Sequence, residues 1–389
     1  MRTLASIFPG KTRDVAVLLA AQFSLAFAVN FMYVFLPFYV QAISPLDEAG
    51  TLRWTGLIVG AASATAVFGS TFWASLADRI SPKALFERGI LSHVILVALM
   101  GFITDLRLLL GIRIFQGFMG GISTIGLMII SAISTEEQLA RRMGLYQSAL
   151  TLGQIFAPPL GAMAAAAIGF RGAFLASSLM MFAVFIFCQV GLSPLPPQAR
   201  PSTAGALPRR QLWLAWGVSF VGTIHIVFLP SILPTIVQDF HVPGSEQLVT
   251  AGLIVFAYGG SAAVGAYGFS RLAARIPVQR LVLSCALGAS AFQVLLTLGV
   301  GPLTFTLIRM VQSALAAGIF PLILVQIASR SHGGTIGFIN AARFAGNAAG
   351  PVVATFILAN SNLLILYLVL GTALAAVAAC HRLTQARNS

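Results

Sequence analysis

Charged residues are scarce in this sequence: they make up 8% of its 389 residues, whereas soluble globular proteins carry about 25%. Hydrophobic residues make up 58%. So little charge cannot cover the surface of a soluble protein of this length, and we expect most of that surface to face lipid. Cysteines are few as well, and they lie far apart in apolar segments, at Cys188, Cys285 and Cys380. Their spacing indicates neither a disulfide framework nor a metal site, so we interpret them as small core residues.

Acidic residues are fewer than basic ones: the sequence has 10 Asp and Glu and 23 Lys and Arg, which gives a net charge of +13. A basic balance of this size can indicate nucleic-acid binding. Here, however, the basic residues occur singly or in adjacent pairs between apolar stretches, with no basic arm and no interleaved aromatic residues. We therefore expect no nucleic-acid partner.

Long apolar runs fill the rest of the chain. The first, from Val15 to Ile43, exceeds the roughly 7–15 residues of a signal peptide's apolar region, so we interpret it as a first membrane span and expect no cleavable signal. A helix crosses the bilayer core in about 20 residues. On that criterion the sequence predicts twelve spans, over residues 15–42, 55–77, 86–104, 107–132, 143–168, 172–192, 212–237, 248–270, 279–300, 302–328, 336–359 and 362–381.

The longest interruption, Ser193–Gln211, is rich in Pro, Ala and Arg and falls at the middle of the chain. It predicts a cytoplasmic linker, 193–211, between an N-terminal six-helix bundle, 1–192, and a C-terminal one, 212–389. If the N-terminus is cytoplasmic, that side collects seventeen basic residues and the outer loops only Arg53, Arg107 and Arg171. This asymmetry predicts that both termini are cytoplasmic.

The two halves repeat each other. Two of the repeated anchors are Val34-Phe35-Leu36-Pro37 with Val227-Phe228-Leu229-Pro230, offset by 193 residues, and Arg113-x-x-Gln116 with Arg309-x-x-Gln312, offset by 196. A six-span unit repeated in parallel places a substrate site between the halves in transporters of this kind. The sequence therefore predicts a transporter.

Three motifs carry a resemblance to a known family. Residues 74–83 read ASLADRISPK and are similar to G-x-L-A-D-R-x-G-R-K; span 4 has R-x-x-Q-G-x-x-G-G at Arg113, Gln116, Gly117, Gly120 and Gly121; span 5 keeps Gly153, Pro158 and Gly161 of G-x-x-x-G-P-x-x-G-G. Over essentially its whole length the chain resembles the major facilitator superfamily, closest to the 12-helix drug/proton antiporters. The resemblance implies an all-α membrane protein of two pseudo-symmetric six-helix bundles in the plasma membrane, which in bacteria is the inner membrane.

Polar residues inside the spans are the candidate substrate-binding groups. An arginine in the hydrocarbon zone costs at least about 2.5 kcal/mol, so it usually faces the protein interior, although it can also snorkel outward and tie spans together. Gln22, Asn30 and Tyr33 share one helix face and either line a cavity or bond across helices. His225 is a candidate proton carrier or a hydrogen-bonded structural residue. The candidate set is Gln22, Asn30, Tyr33, Arg113, Gln116, Thr223, His225, Arg309 and Gln312.

Two further sets concern movement. The resemblance implies that Asp78 closes the cytoplasmic side by pairing with a cation of the other half, and we predict Arg343 as that partner. Small residues and prolines in spans 5 and 11 indicate bending or rocking contacts between the halves, or plain close helix packing. The gating candidates are Asp78, Arg79, Lys83 and Arg343, and the packing or bending candidates are Gly117, Gly153, Pro158, Gly161, Gly346, Gly350 and Pro351.

All ten carboxylates fall in loops or at span ends, which argues against strongly cationic substrates. We expect secondary active export of a small amphipathic compound, neutral or anionic, by alternating access, with coupling to protons left open. The alternatives are uptake or facilitated diffusion of a neutral or anionic metabolite, or a transporter-derived sensor. The sequence has neither clustered metal ligands nor a nucleophile paired with a base, so we expect no enzyme, no metal and no cofactor. We expect a monomer whose partners are the substrate and the lipid bilayer.

Overall fold

The computed structural model describes residues 10–195, 209–328 and 333–386, and within these ranges the chain is helical, with no strand. Three short 3₁₀ turns, Leu76–Asp78, Leu229–Ile232 and Leu296–Leu298, interrupt the α-helices. The α-helices are α1 Gly10–Phe31, α2 Phe35–Ile43, α3 Glu48–Ser75, α4 Pro82–Met100, α5 Leu106–Phe118, α6 Ile122–Ile133, α7 Glu136–Gly191, α8 Arg209–Val227, α9 Leu233–Asp239, α10 Gly244–Leu272, α11 Val278–Leu295, α12 Pro302–Ala328, α13 Gly333–Asn360 and α14 Leu363–Ala386.

The described helices account for the predicted spans. Nine are long and apolar enough to cross a membrane, and the pair α8 and α9, bent by 40°, makes a tenth. The 56-residue α7 is two helices joined at Gly169, whose φ of 73° and ψ of 167° are not helical, so it holds two predicted spans. The remaining one is α4, 19 residues long, which carries Lys83, Glu87 and Arg88 in its first two turns. The fold class predicted from the sequence is confirmed.

Span 4 is interrupted between α5 and α6 by the backbone conformation of one glycine. Gly121, between α5 and α6, has φ 86°, a left-handed conformation that side chains other than glycine's rarely adopt. A Cβ on Gly121 would also lie 2.9 Å from Cα of Ser70. The start of α5 is fixed by Asp105, whose carboxylate accepts hydrogen bonds from the N–H groups of Arg107 and Leu108.

The chain divides into two compact units. Unit 1 comprises Met1–Leu36 and Thr65–Pro201, and unit 2 comprises Pro37–Ala64 and Ser202–Ser389. Residues 37–64 therefore belong with the C-terminal part of the chain by their contacts, whereas the sequence analysis assigned them to the N-terminal bundle. The domain boundaries 1–192, 193–211 and 212–389 stay a prediction.

Glycines set the closest helix contacts inside each unit. In unit 1, a Cβ on Gly153 would lie 2.5 Å from the carbonyl oxygen of Phe23, and Gly161 lies against the backbone of Phe31. Both contacts join α7 to α1. In unit 2, Gly346 and Gly350 of α13 lie against α8 in the same way. These four predicted packing residues therefore serve helix packing within a unit, where small residues let backbones approach.

Candidate functional site

Unit 1 holds an arginine and a glutamine on the buried face of α5. The guanidinium of Arg113 donates through Nη1 to Oε1 of Gln116 at 2.6 Å, and both side chains are buried. The spacing of three residues brings them together on one side of the helix. Tyr33, at the break between α1 and α2 in span 1, lies within electrostatic range of Arg113. Three of the predicted substrate-binding residues are therefore neighbours.

Gln22 lies in a separate buried cluster of unit 1. Its Nε2 donates to Oγ of Ser123 at 3.0 Å, and its Oε1 accepts a 2.5 Å hydrogen bond from the hydroxyl of Tyr146. Gln22 is 1% exposed and Tyr146 is fully buried. The amide therefore joins α1, α6 and α7. The polar stripe of span 1 was expected either to line a cavity or to form hydrogen bonds across helices. Gln22 forms hydrogen bonds across helices.

Two other predicted residues bond to their own helix. Asn30 donates through Nδ2 to the carbonyl of Ala26 at 2.8 Å, and Thr223 donates to the carbonyl of Ser219 at 2.7 Å. Asn30 is half-buried, whereas Thr223 is 6% exposed. Their assignment to substrate binding stays a prediction.

Unit 2 holds the repeat-related arginine, which is more deeply enclosed. Arg309 is 0% exposed and donates to the carbonyls of His225 at 2.8 Å and Ile226 at 2.9 Å, and to Oε1 of Gln312. Gln312 in turn donates to Oε1 of Gln293 at 3.0 Å. This network joins α8, α11 and α12 through groups that are all buried.

His225 contributes its backbone carbonyl to this network. Its ring Nδ1 lies 3.0 Å from the carbonyl of Val221, and the side chain is fully buried. The ring Nε2 has no hydrogen-bond partner among the described residues, and neither does Nε2 of Gln293. Buried polar nitrogens without a hydrogen-bond partner are uncommon in folded proteins.

The gating candidates belong to both units: Arg79 and Lys83 to unit 1, and Arg343 to unit 2. Lys83 donates to the carbonyls of Gln189 at 3.0 Å and Leu192 at 2.7 Å, and so caps the end of α7 inside unit 1. Arg79 is exposed. Arg343 is exposed, with its guanidinium 4.8 Å from the ring centroid of Phe320. The side chain of Asp78 lies outside the described residues, so its pairing with Arg343 stays a prediction.

Two more packing candidates lie inside helices. Pro158 is in α7 and Pro351 is in α13, and both are buried. Gly117 lies in the last turn of α5, and its carbonyl accepts from the N–H of Gly120 at 2.9 Å. Local bends at prolines are the expected consequence of a missing N–H.

Two groups at the start of α4 were not predicted from the sequence. The carboxylate of Glu87, 7% exposed, pairs with Lys83 at 3.6 Å and accepts from Nε2 of Gln189 at 2.9 Å. Its neighbour Arg88 lies over the ring of Trp73, 3.4 Å from the centroid. The available signal was the group of charges at positions 83, 87 and 88, of which only Lys83 was named from the sequence, as a gating candidate.

No group of three or more His, Cys, Asp and Glu side chains in the described ranges is arranged to hold a metal ion. Besides the carboxylates of Asp14 and Glu87, the buried polar groups of the two units include amides, hydroxyls, imidazoles and guanidinium groups. They can bind polar or anionic groups by hydrogen bonding, and they supply no nucleophile paired with a base.

Comparisons with known proteins agree with this arrangement. A family model described as Major Facilitator Superfamily matches residues 18–229. The multidrug resistance protein MdtG of Proteus mirabilis (strain HI4320) is 26% identical over 342 residues, which cover 84% of each chain. Among solved structures, the human organic anion transporter MFSD10 has a TM-score of 0.69 at 16% identity, covering 96% of this chain and 100% of its own. The D-xylose-proton symporter has a TM-score of 0.75 at 10% identity, covering 96% and 97%.

Proposed function

This chain belongs to the Major Facilitator Superfamily, and from that premise we propose that it exports small amphipathic compounds that are neutral or anionic. It is a multi-pass membrane transporter and not an enzyme. We propose that transport is secondary active and proceeds by alternating access, in which the binding site opens to one side of the bilayer at a time.

The charge inside the spans supports this substrate class. Arg113 and Arg309 are buried in membrane-spanning helices. All ten carboxylates lie in loops or in the outer third of their helices. Charges interact strongly where water is excluded, so a permanent cation would be repelled by a nearby guanidinium, while an anion or a neutral hydrogen-bond acceptor would be attracted.

Export is supported by similarity. The Proteus mirabilis relative is named a multidrug resistance protein, and this chain is aligned with 84% of it. The residues R-x-x-Q-G-x-x-G-G, from Arg113 to Gly121, match the efflux motif of span 4. Uptake or facilitated diffusion of a small metabolite is the alternative, and it differs in the direction of net flux.

Inside-out membrane vesicles containing the protein test the proposal. Three fluorescent probes differ in charge: N-phenyl-1-naphthylamine is neutral, 8-anilinonaphthalene-1-sulfonate is anionic and ethidium is cationic. We expect energised vesicles to accumulate the neutral or the anionic probe faster than vesicles without the protein, and ethidium no faster. Accumulation of ethidium alone would contradict the substrate class, and net release of the transported probe would indicate uptake.

Protons are the proposed coupling ion, and Glu87 is the proposed carrier. Oε2 of Glu87 accepts from Gln189, and Oε1 pairs with Lys83 at 3.6 Å, so Oε1 can take a proton by giving up this ion pair while the bond to Gln189 is kept. With an imposed pH gradient, probe flux should depend less on pH in Glu87→Gln than in the unmodified protein. The matched variant His225→Gln should keep the original dependence. The reverse pattern would assign the proton to His225, and pH-independent flux in the unmodified protein would exclude proton coupling.

A further inference from the structure

Span 7 is broken where a backbone hydrogen bond cannot form. It consists of α8 and α9, joined through the 3₁₀ turn Leu229–Ile232 and bent by 40°. In a continuous α-helix the carbonyl of Ile226 would accept from the N–H of residue 230, but residue 230 is a proline and has no N–H. Inside a membrane-spanning helix, a carbonyl left without a donor is costly.

Arg309 supplies the missing donor from α12. Its Nη2 donates to the carbonyl of Ile226 at 2.9 Å, and its Nη1 donates to the preceding carbonyl, that of His225, at 2.8 Å. A guanidinium presents its N–H groups in a planar fork, which suits two adjacent acceptors. One side chain therefore satisfies two successive carbonyls at the break.

The position of Arg309 is fixed on its other sides. Its guanidinium carbon lies 4.9 Å from the ring centroid of Phe228 and 4.6 Å from that of Tyr258. Gln312 accepts from Nη1 and is itself tied to Gln293 of α11. The aromatic rings and the amide hold the cation between α8, α10 and α12, with 0% of the residue exposed.

We propose that Arg309 is a positioning residue that stabilises the bend in span 7, and that it does not contact the transported compound. This role of Arg309 deepens the proposed function. Only its flux measurement depends on the protein being a transporter. It replaces the substrate-binding role predicted for Arg309 from the sequence. A substrate would have to displace the backbone carbonyls and aromatic rings that already surround the guanidinium.

The first half of the chain repeats the same parts. Pro37 stands at the position of Pro230, and the carbonyl of Tyr33 corresponds to that of Ile226. Span 1 is also broken there, between α1 and α2, and Tyr33 interacts with Arg113, the counterpart of Arg309. The repeat of a helix-breaking proline together with an arginine supports the link between Arg309 and the break at Pro230.

A second-site substitution tests the proposal. Arg309→Leu should lower the melting temperature of the purified protein in detergent by several degrees. Adding Pro230→Ala creates an N–H four residues after Ile226, so Arg309→Leu/Pro230→Ala should regain much of that loss. Pro234→Ala is the matched control, because Pro234 lies in the first turn of α9, where the N–H has no helical partner to lose.

The flux measurement separates positioning from binding. Arg309→Lys keeps the charge but loses the fork, so it should lower the maximal rate of probe transport and leave the KM of the probe unchanged. A raised KM with an unchanged melting temperature would overturn the proposal in favour of substrate contact. Equal recovery with Pro230→Ala and Pro234→Ala, or no recovery with either, would also overturn it.

If Arg309→Leu is absent from membranes when it is produced alone, the amounts of Arg309→Leu/Pro230→Ala and Arg309→Leu/Pro234→Ala in the membrane are compared in place of the melting temperatures. The melting temperature and the accumulated amount need no transported compound. A failure of this proposal is therefore distinguishable from a failure of the export proposal, which concerns only the direction of flux and the charge of the probe.

Discussion

At the scale of single residues, two arginines that look alike in the sequence have different surroundings. The motif R-x-x-Q occurs at Arg113 and at Arg309, and in both places the arginine bonds to the glutamine three residues later. Arg309 also binds two backbone carbonyls, which belong to residues more than eighty positions earlier. Local spacing predicts the Arg–Gln pair, but it carries no information on such distant partners.

Arg113 should matter for transport more than for stability. Arg113→Ala is expected to reduce probe flux by about tenfold or more, because a charged hydrogen-bonding group is removed from the proposed binding region. The measurement is probe flux in vesicles, together with the melting temperature and the amount of protein in the membrane.

Arg107→Ala is the matched control for this substitution. Arg107 lies on the same helix, α5, and its side chain is exposed. It should leave both flux and stability close to those of the unmodified protein. Normal flux in Arg113→Ala would remove Arg113 from the proposed binding region.

At the scale of helices, the sequence predicted the positions of the membrane spans more fully than it predicted the contacts of the candidate site residues. Apolar runs of about 20 residues located the spans, because lipid requires every backbone group to bond within its own helix. The breaks were harder to predict, since they depend on single residues such as Gly121, Gly169 and Pro230. The role of Gly153 and Gly161 in packing α7 on α1 depends on which helices become neighbours, and spacing alone does not give that.

The break in span 4 provides a test of backbone geometry. Gly121→Ala should destabilise the protein, because a left-handed conformation costs an L-residue about 1–2 kcal/mol and because the added Cβ would lie 2.9 Å from Cα of Ser70. The measurement is the melting temperature in detergent, which should fall. Since the break separates α5 from α6, probe flux should fall as well.

Gly111→Ala is the control for Gly121→Ala on the same span. Gly111 is helical, in α5, and a Cβ there would meet nothing within 4 Å. Alanine is favoured over glycine in a helix interior by about 1 kcal/mol, so this variant should be as stable as the unmodified protein or more so. Equal losses in the two variants would show that the positive φ of Gly121 is not the cause.

At the scale of the whole molecule, the internal repeat predicted two related halves, and the described helices follow it. The offsets of 193 and 196 residues relate spans 1 and 7 and spans 4 and 10. The repeat does not make the halves identical in detail. Gln22 bonds to Tyr146 in unit 1, whereas the position 193 residues later is Ala215, which belongs to an apolar core. Differences of this kind between the two halves depend on the individual side chains at related positions, and the shared fold does not determine them.

The orientation of the chain in the membrane follows from the placement of its basic residues. Seventeen Lys and Arg residues are assigned to one side and three to the other, and basic residues near span ends are retained in the cytoplasm. We therefore predict that both termini are cytoplasmic. On this prediction Ser361, between α13 and α14, faces outward, and Ala274, after α10, faces the cytoplasm.

Single cysteines at these two positions report the orientation. The native thiols are first removed: Cys188 and Cys285 are buried, and Cys380 is exposed. In intact cells, a charged maleimide that does not cross membranes should label Ser361→Cys and spare Ala274→Cys. The membrane-permeant N-ethylmaleimide should label both, since both positions are exposed, and this shows that each thiol can react. If the charged reagent labels Ala274→Cys alone, the orientation is the reverse of the predicted one. If it labels both cysteines equally, the protein does not adopt one uniform orientation. Either outcome would mean that the basic residues do not set the orientation of this chain.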